Sequence, residues 1–355
     1  SSCKVRKLYV FESLLCQITS HYCMTSVDNN HGVLSIRYLD AGDPLARPDD
    51  HTLAVLSYGV ESGTDQQDER RLTVGLPILG GNWTHEVWRS SQPIDMGIYG
   101  DISFRCTDEL LFGQVLLDDA TSGGMEAMTR HVYETILALQ QARDYPRMLR
   151  IWNYFPSINR EADGLERYRA FCVGRYQAID TSSGYEQHLP SASAIGTRDG
   201  KTLIYFLASR TAGKQIENPR QVSAFEYPDL YSPRSPAFSR AMLTQWPDAR
   251  HLYISGTASI IGHETHHKHD YIRQLDECLN NIDELIGRSR EVSDININNA
   301  AQLSGLKVYL RHPEYLEHSR HYINDRLGSA TPVIYLHGDI CRSDLLLEVE
   351  GLYSS

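Results

Sequence analysis

The last hundred residues alternate between strand-like and helix-like patterns, and this alternation limits the fold more than any other feature of the chain. Apolar, β-branched runs at 251–256, 307–311 and 332–336 predict strands. The segments 271–286 and 314–327 between them carry apolar residues at helical spacing. Strands that alternate with helices pack in layers. We therefore predict the α/β (α+β) class, with helices packed on one face of a mixed sheet.

A final predicted strand at 345–349 closes this set, and its side chains alternate between two faces. One face is entirely apolar, whereas the other carries Leu346, Glu348 and Glu350. A glutamate buried on such a face would have a raised pKa and could serve as a general acid near neutral pH. An edge strand whose glutamates face water is an equally simple interpretation.

The first half has a related pattern of strands, a long helix and further strands, which suggests a distant duplication of one unit. The predicted elements are strands at 33–38, 52–58, within 72–88 and at 102–105, a helix at 123–144, a strand at 148–155, a helix at 165–178, and strands at 203–208 and 218–228. Residues 1–30 predict an early strand and a connecting segment. The Pro-rich loop at 231–236 is the expected crossing point. We therefore predict an N-terminal α/β domain at 1–235 and a C-terminal domain at 236–355.

The composition excludes several classes of function. The 355 residues carry a formal net charge of −11, whereas nucleic-acid-binding surfaces are basic, so we expect no nucleic-acid partner. The seven cysteines form no C-x-x-C pair, which argues against a disulfide framework or structural zinc and favours the cytoplasm. No apolar run approaches the roughly 18 residues that cross a bilayer, so we expect no membrane segment.

One run satisfies the H-E-x-x-H signature of zinc proteases, with His263, Glu264 and His267 as the candidate residues. That chemistry needs both histidines on one face of a helix. The run is polar and precedes the helical apolar pattern, which begins at Ile272, so we predict a solvated loop and no metal site. A zinc hydrolase remains an alternative. The sequence has no glycine-rich phosphate fingerprint and no G-x-S-x-G elbow, and we predict no cofactor.

Cys341 and several arginines are the other candidate functional residues. Cys341 lies beside Arg342 and near His337, so it is either a thiolate nucleophile or a small buried thiol. Six arginines lie in or next to aromatic-rich segments: Arg150, Arg167, Arg175, Arg220, Arg234 and Arg311. Arg311 ends a strand that we expect beside the Glu348 strand, and a guanidinium group is the natural partner of a substrate carboxylate.

Four parts of the sequence together resemble the chorismatase family. They are residues 163–169 with 171–175, 218–224, 255–263, and 339–342 with 346–350. The resemblance extends from roughly residue 30 to residue 351. The C-terminal third is also similar to the RidA/YjgF enamine-deaminase unit, in the order strand, Ser-Gly, helix, strand, helix, strand and glutamate-bearing strand. The resemblance implies RidA/YjgF-like mixed sheets in two related halves.

The resemblance also implies a reaction, namely removal of the enolpyruvyl group of chorismate as pyruvate. The family's catalytic glutamate falls on Glu348, which would protonate the terminal methylene of the enol ether. Members with a cysteine at the position of Cys341 form an aromatic hydroxybenzoate, and the subgroup that makes 3- and 4-hydroxybenzoate is the most similar. These products feed secondary metabolism or aryl-polyene pigments. Ala258 stands where glycine is expected in some members that form 3-hydroxybenzoate.

The remaining expectations concern substrate binding and partners. The resemblance favours Arg311 as the first carboxylate ligand, and the other expected contacts are Arg167, Arg175, Arg220, Tyr154, Tyr227, Thr257 and Ala258. Chorismate is the expected small-molecule partner, and the chain is expected to be a monomer or a small homo-oligomer. Two alternatives keep the fold: an enamine or imine hydrolase in which Glu348 activates water, and a non-catalytic ligand-binding protein.

Overall fold

The computed structural model describes residues 32–40, 42–179, 185–198 and 200–355. Over these residues the protein contains three mixed sheets, two short two-stranded ribbons and four α-helices. The α/β prediction is therefore confirmed. The strand and connecting segment that we predict within residues 1–30 lie outside the described residues.

The first sheet has five strands and comes from residues 35–89. This part of the chain contains β1 (Ser35–Leu39), β2 (Thr52–Tyr58), β3 (Gly63–Thr64), β4 (Arg71–Val74), β5 (Ile78–Gly81) and β6 (His85–Arg89). The sheet has the order β1-β6-β2-β4-β3. β5 joins the third sheet instead, which attaches the N-terminal region to the C-terminal one.

The second sheet has six strands and belongs to the first of two similar units. In chain order its elements are β7 (Asp95–Tyr99), β8 (Ile102–Cys106), β9 (Leu110–Leu117), α1 (Gly124–Arg143), β10 (Arg147–Pro156), the ribbon β11 (Glu161–Ala162) and β12 (Leu165–Glu166), α2 (Arg167–Ala178), β13 (Ser191–Thr197) and β14 (Thr202–Ser209). The strands pair in the order β7-β8-β9-β14-β10-β13.

The third sheet has seven strands and belongs to the second unit. Its elements are β15 (Lys214–Ile216), β16 (Ala241–Gln245), β17 (Arg250–Thr257), the ribbon β18 (Ile260–Ile261) and β19 (Glu264–Thr265), α3 (Tyr271–Glu291), β20 (Gly305–Leu310), α4 (Leu316–Leu327), β21 (Val333–His337) and β22 (Leu347–Ser354). The order is β15-β16-β17-β22-β20-β21-β5.

The two units have the same topology, which confirms the two related halves. In each unit the first three strands are followed by the sixth, the fourth and the fifth across the sheet, and the helices follow the third and fourth strands. The fourth and fifth strands are parallel in both, β10 with β13 and β20 with β21. The second unit begins at Lys214, because β15 pairs with β16, and the boundary that we predict at residue 235 therefore falls inside it.

Three hydrophobic cores hold the layers together. The apolar stripe of α1 is buried against the second sheet, as its helical spacing predicts, through Met125, Met128, Val132, Ile136 and Leu139. α3 and α4 cover the outer face of the third sheet in the same way. The inner faces of these two sheets and the five-stranded sheet enclose a central core that is rich in aromatic rings. The units therefore face each other with their helices outside.

Two predicted strands differ from the structure. The strand prediction at 218–228 is wrong, because the Asn218 side chain accepts a hydrogen bond from the Arg220 backbone N–H at 2.9 Å and forms a turn. The last strand starts at Leu347 rather than at Leu345, since the Leu346 N–H donates to the Gln274 side chain at 2.8 Å instead of to a neighbouring strand.

Short 3₁₀ helices complete the described elements. They are Pro44–Ala46, Tyr185–His188, Ala224–Glu226, Ala300–Gln302 and Pro313–Tyr315. None of the helices in the described part of the chain combines the length and the apolar character needed to cross a bilayer.

Candidate active site

A cavity of about 510 Å³ lies where the two units face each other. The first unit contributes residues of α2 and β13, and the second contributes residues of β17, β22 and the loop before β22. Glu348 and Cys341, the two predicted catalytic residues, both line it, as do Arg175, Tyr227 and Ala258. The structure therefore brings together five of the ten predicted site residues.

The Glu348 carboxyl is buried at the wall of the cavity and lies against Gly256. A Cβ atom added to Gly256 would come within 1.8 Å of Glu348 Oε1. Only glycine leaves room for the carboxyl at this point of β17, which gives a physical reason for the Ser-Gly pair in the sequence. Glu348 and Glu350 are both buried and are separated by one residue on β22, so they project from the same face of the strand.

The environment of Glu348 favours its protonated form. The pKa of Glu348 is raised to about 8, mainly by burial and in addition by the nearby charge of Glu350, against the opposing effect of Arg150 and Arg240. The protonated form therefore predominates at pH 7. The burial comes from the facing unit and from Gly256, whereas Leu346 packs with the core on the helix-covered face of the sheet. A protonated carboxyl in a cavity is a candidate general acid.

Glu350 has the opposite protonation state because it is surrounded by donors. Burial alone would raise its pKa, but Lys307 and Arg150 outweigh this effect and hold the pKa of Glu350 at about 2. Its Oε1 accepts from Trp152 Nε1 at 2.9 Å and lies 3.0 Å from Lys307 Nζ. Its Oε2 accepts from Arg150 Nη2 at 2.9 Å. The two glutamates therefore differ by one proton although they share a strand face.

Arg175 and Arg240 supply positive charge inside the cavity. Arg240 donates through Nη2 to the Val222 carbonyl at 2.8 Å and to the Tyr227 hydroxyl at 2.6 Å. Arg175 donates to the Ala237 carbonyl. Among the described residues, the buried Nε atom of each arginine has no hydrogen-bond partner. Buried donors without partners are costly, so both guanidinium groups are suited to bind an anionic ligand.

Arg342 also lines the cavity, and it stacks on aromatic rings. Its guanidinium carbon lies 3.7 Å from the centroid of the Tyr231 ring and 5.3 Å from that of Tyr227. One terminal nitrogen donates to the His263 carbonyl at 2.9 Å. Stacking holds the planar group in one orientation, which favours a defined contact with a carboxylate.

Cys341 lines the cavity as a neutral thiol. Burial raises the pKa of Cys341 to about 12, and the neighbouring Glu348 contributes to the increase against Arg342. The raised pKa argues against the thiolate interpretation of Cys341, because the charge of Arg342 does not compensate for the loss of solvent. Cys341 remains suited to a steric role, or to a weak hydrogen bond, next to the acid.

Arg311 does not line the cavity, and its side chain contacts the loop before β22 instead. Its side chain donates to three backbone carbonyls and to Asn159, and it forms an ion pair with Asp339 at 2.8 Å. These five bonds use all five N–H donors of the guanidinium group. The carbonyls belong to Ile340, Arg342 and Leu345, so Arg311 shapes the loop that carries Cys341 and Arg342 into the cavity.

Arg167 and Arg220 also lie outside the cavity lining, because their charges are already paired. Arg167 binds Asp119 through two hydrogen bonds of 2.6 and 3.0 Å. Arg220 pairs with Glu277 at 2.6 Å. Both guanidinium groups therefore already have carboxylate partners in the structure, and their contacts with a substrate stay predictions.

The predicted contacts at Tyr154 and Thr257 are satisfied elsewhere as well. The Tyr154 hydroxyl lies 3.2 Å from that of Tyr309 in the central core. The Thr257 hydroxyl donates to the Ser255 carbonyl at 2.8 Å. Neither side chain lines the cavity, so the structure does not bring these two predicted residues to the site.

The H-E-x-x-H run does not form a zinc site. Glu264 lies in β19 rather than on a helix, and the backbone φ angles of Gly262 and His267 are positive. His263 Nδ1 lies 3.1 Å from the Tyr231 hydroxyl. No group of three possible metal ligands occurs among the described residues. The zinc-hydrolase alternative therefore has no structural support.

Comparison with known proteins identifies the family of the chain. A curated protein from Streptomyces hygroscopicus named "Chorismatase" is 35% identical over 354 residues, which cover 96% of this chain and 96% of the relative. The chain belongs to the chorismatase family. The family model "Chorismatase FkbO/Hyg5-like, N-terminal" matches residues 86–208. A "3-hydroxybenzoate synthase" from Streptomyces hygroscopicus is 36% identical over 75% of this chain and 80% of the relative.

The chorismatase fold is also shared. A crystal structure titled as a chorismatase at 1.08 Å resolution matches with a TM-score of 0.81 and 33% sequence identity, over 91% of this chain and 98% of the other. The second curated chorismatase, from Streptomyces rapamycinicus, is 37% identical over 75% of this chain and 81% of its own length.

Sequence reasoning missed several residues of this chorismatase site. Ser193, Tyr231 and Arg240 line the cavity but belong to no motif with Glu348. Arg342 was visible as the neighbour of Cys341 in the family motif, but its position in the cavity was not predicted. For Ser193 and Arg240 the sequence carries no signal. Ser193 meets Glu348 only through the packing of one unit on the other, and Arg240 reaches the cavity only through the folding of the third sheet.

Proposed function

We propose that this chorismatase cleaves chorismate into pyruvate and a hydroxybenzoate, with Glu348 as the general acid. The observation that carries the proposal is a buried carboxyl, with a pKa raised to about 8, in a cavity that is lined by four arginines, Arg169, Arg175, Arg240 and Arg342. The names of the relatives, "Chorismatase" and "3-hydroxybenzoate synthase", support the same substrate and product.

The chemistry needs one proton at one carbon. Glu348 transfers its proton to the terminal methylene of the enol ether, and the neighbouring carbon becomes an oxocarbenium ion. This weakens the bond between the ether oxygen and the ring. The ether oxygen then leaves ring carbon C3 with the bonding electrons and becomes the keto oxygen of pyruvate. If C4 keeps its hydroxyl and loses its hydrogen as a proton, the product is 4-hydroxybenzoate. 3-Hydroxybenzoate instead requires the C4 hydroxyl oxygen to displace the ether oxygen from C3 and lose its own proton, and the resulting epoxide then opens at its C4–O bond and loses the C3 proton. Both routes divide chorismate into pyruvate and hydroxybenzoate without net consumption of water. A carboxylate that is ionised at pH 7 could not begin this sequence, so burial of Glu348 is the essential feature.

The arginines bind the substrate's charges and orient it. Chorismate carries two carboxylates, whereas the chain as a whole has a net charge of −11, so the protein must concentrate positive charge at the site. Arg175, Arg240 and Arg342 provide this charge while Glu348 is neutral. A ring fixed by two ion pairs places its enol ether against the acid in a reactive orientation.

We propose 3-hydroxybenzoate as a product, with 4-hydroxybenzoate as a possible second one. The neutral thiol of Cys341 and the methyl group of Ala258 both line the cavity, where they can restrict the position of the ring. A role in secondary-metabolite or aryl-polyene pigment synthesis, and a cytoplasmic location, remain proposals from the family resemblance. One chain supplies both walls of the cavity, which favours activity as a monomer or a small homo-oligomer.

The direct test is product analysis with a variant of the acid. Wild-type protein incubated with chorismate should release pyruvate, measured by a coupled lactate dehydrogenase assay, and hydroxybenzoate, identified by chromatography. Glu348→Gln should lose turnover by a factor of about 10² or more, because it cannot donate the proton. Glu314→Gln, an exposed glutamate before α4, should behave like wild type. Near wild-type turnover in Glu348→Gln would exclude the assigned role.

The same assay separates the alternatives that share the fold. An enamine or imine hydrolase would act on enamines formed in situ and leave chorismate intact. A ligand-binding protein would bind hydroxybenzoate without turnover. Wild-type protein that releases no pyruvate from chorismate would refute the proposed reaction.

A further inference from the structure

Glu350 has no part in the reaction as described, although it is the most heavily bonded carboxylate next to the acid. It does not line the cavity. In addition to Trp152, Lys307 and Arg150, it accepts a hydrogen bond from Ser193 Oγ at 2.6 Å. Both of its oxygens therefore have two partners, and the carboxylate is fixed in position and ionised.

Ser193 connects the Glu350 carboxylate to Gly256, the residue that the Glu348 carboxyl contacts. Its hydroxyl accepts from Arg150 Nη2 at 2.6 Å and from the Gly256 backbone N–H at 3.0 Å, while it donates to Glu350. All three hydrogen-bonding positions of the hydroxyl are used. Gly256 is the residue against which the Glu348 carboxyl rests. Ser193 of the first unit thus forms hydrogen bonds to both strands that surround Glu348 in the second unit, β17 and β22.

The charges of this buried network balance only while Glu348 keeps its proton. Lys307 Nζ lies 2.6 Å from Glu86 Oε1 and 3.0 Å from Glu350 Oε1, and Arg150 binds Glu350. Two cations therefore match two anions. A third buried anion at Glu348 would have no cation of its own in this network, since the other nearby cation, Arg240, lines the cavity where the substrate is expected.

We propose that Glu350 is a positioning residue, whose fixed negative charge, held by Arg150, Lys307 and Ser193, keeps the proton on Glu348 until the substrate takes it. This role rests on the proposed function. The network could instead serve only to join the sheets, and the two roles make different predictions. A structural role does not require that the charge of Glu350 change the pH at which Glu348 ionises.

The other ionisable groups around Glu348 do not supply the same effect. Arg150 on β10 and Arg240 before β16 both favour its ionised form. Cys278 on α3 and Cys341 in the loop before β22 are thiols whose pKa values burial raises, so they are neutral. Glu350 is therefore the charged group that opposes ionisation of Glu348.

The test measures the proton of Glu348 directly. The infrared carbonyl band of a protonated carboxyl, obtained as the difference between wild type and Glu348→Gln, should disappear as the pH rises through about 8. The same difference spectrum is then recorded between Glu350→Gln and the double variant Glu348→Gln/Glu350→Gln. There we expect the band to disappear at a pH at least roughly one unit lower, because the opposing charge is gone and Arg150 is left without its partner. The rate of pyruvate release should fall over the same lower pH range.

Two variants distinguish positioning from a purely structural effect. Glu86→Gln removes another buried carboxylate from the same network, where it pairs with Lys307, and should leave the titration of Glu348 unchanged. Glu350→Asp keeps the charge and should restore a titration near the wild-type pH. If Glu350→Gln fails to fold, the double variant Glu350→Gln/Lys307→Met removes both members of one ion pair and takes its place.

The outcomes separate this inference from the proposed function. A band that disappears at the wild-type pH in folded Glu350→Gln, or that moves equally in Glu86→Gln, would overturn the positioning role. Because the infrared measurement needs no turnover, it decides the inference even when chorismate is not the substrate. Absence of pyruvate release from wild type would refute the reaction alone.

Discussion

Gly256→Ala should inactivate the enzyme without unfolding it. The added Cβ would lie 1.8 Å from Glu348 Oε1 and 2.7 Å from Glu348 Cδ. Since real Cβ contacts stay above 3.0 Å, the oxygen must move by more than about 1 Å. Misplacement of a catalytic group by about 1 Å costs roughly 10²-fold in rate, which corresponds to about 2.7 kcal/mol in the activation barrier. The flexible glutamate can move, so we expect the loss in kcat and only a small change in stability.

The assay compares pyruvate release and thermal unfolding in two glycine variants. Gly287→Ala is the matched control, because no heavy atom of the surrounding structure lies within 4 Å of its added Cβ and Gly287 lies inside α3. Alanine in a helix interior should stabilise it by up to about 1 kcal/mol and leave kcat unchanged. A kcat for Gly256→Ala within about threefold of wild type would refute the close placement of Glu348 against this strand.

Four further predictions follow from the same structure. The kcat/KM of wild type should fall about tenfold per pH unit above pH 8, because Glu348 loses its proton there. Glu348→Gln should increase the free energy of unfolding at pH 9 by roughly 5 kcal/mol, measured by urea denaturation. An unfolded glutamate ionises near pH 4.3 and the folded one only near pH 8, so rising pH over this interval favours the unfolded wild type. Arg240→Lys should raise KM for chorismate about tenfold with a smaller change in kcat, because it loses the planar fork of donors. Arg311→Ala should lower the free energy of unfolding by about 3 kcal/mol, since it removes four bonds to the loop before β22 and one to Asn159.

Glu348 can be chosen as the candidate acid from the sequence of one strand. Alternation placed Glu348 and Glu350 on one face, and the family motif selected Glu348. The helices α1 and α3 were predictable for the same reason, since each carries its own apolar stripe. Features that depend on local spacing can be read from the chain without its tertiary structure.

The arginines show where such reasoning fails. Arg311 lies next to the Glu348 strand, as predicted, but three of its N–H groups donate to backbone carbonyls of the loop before β22. Whether an arginine is free for a ligand depends on carbonyls and carboxylates that only the folded structure brings near it. Asp119, for example, lies 48 residues before Arg167 and neutralises it. The prediction of a positively charged site was useful, but it could not identify which arginines form it.

The two units share a topology, but among the described residues only the second unit places a buried glutamate on the strand that faces this cavity. β14 of the first unit corresponds in topology to β22 of the second, yet its sequence Thr202–Ser209 contains no carboxylate and is buried throughout. β13 of the first unit supplies Ser193 to the cavity, whereas its counterpart β21 pairs with β5 at the edge of the third sheet. Glu348 thus comes from the second unit, whereas Ser193, which connects Gly256 to Glu350, comes from the first. Because Glu348 and Ser193 belong to different units, the protonation state of Glu348 depends on correct packing of the two units. A variant that loosens this packing should therefore lose the protonated form of Glu348 before the chain unfolds.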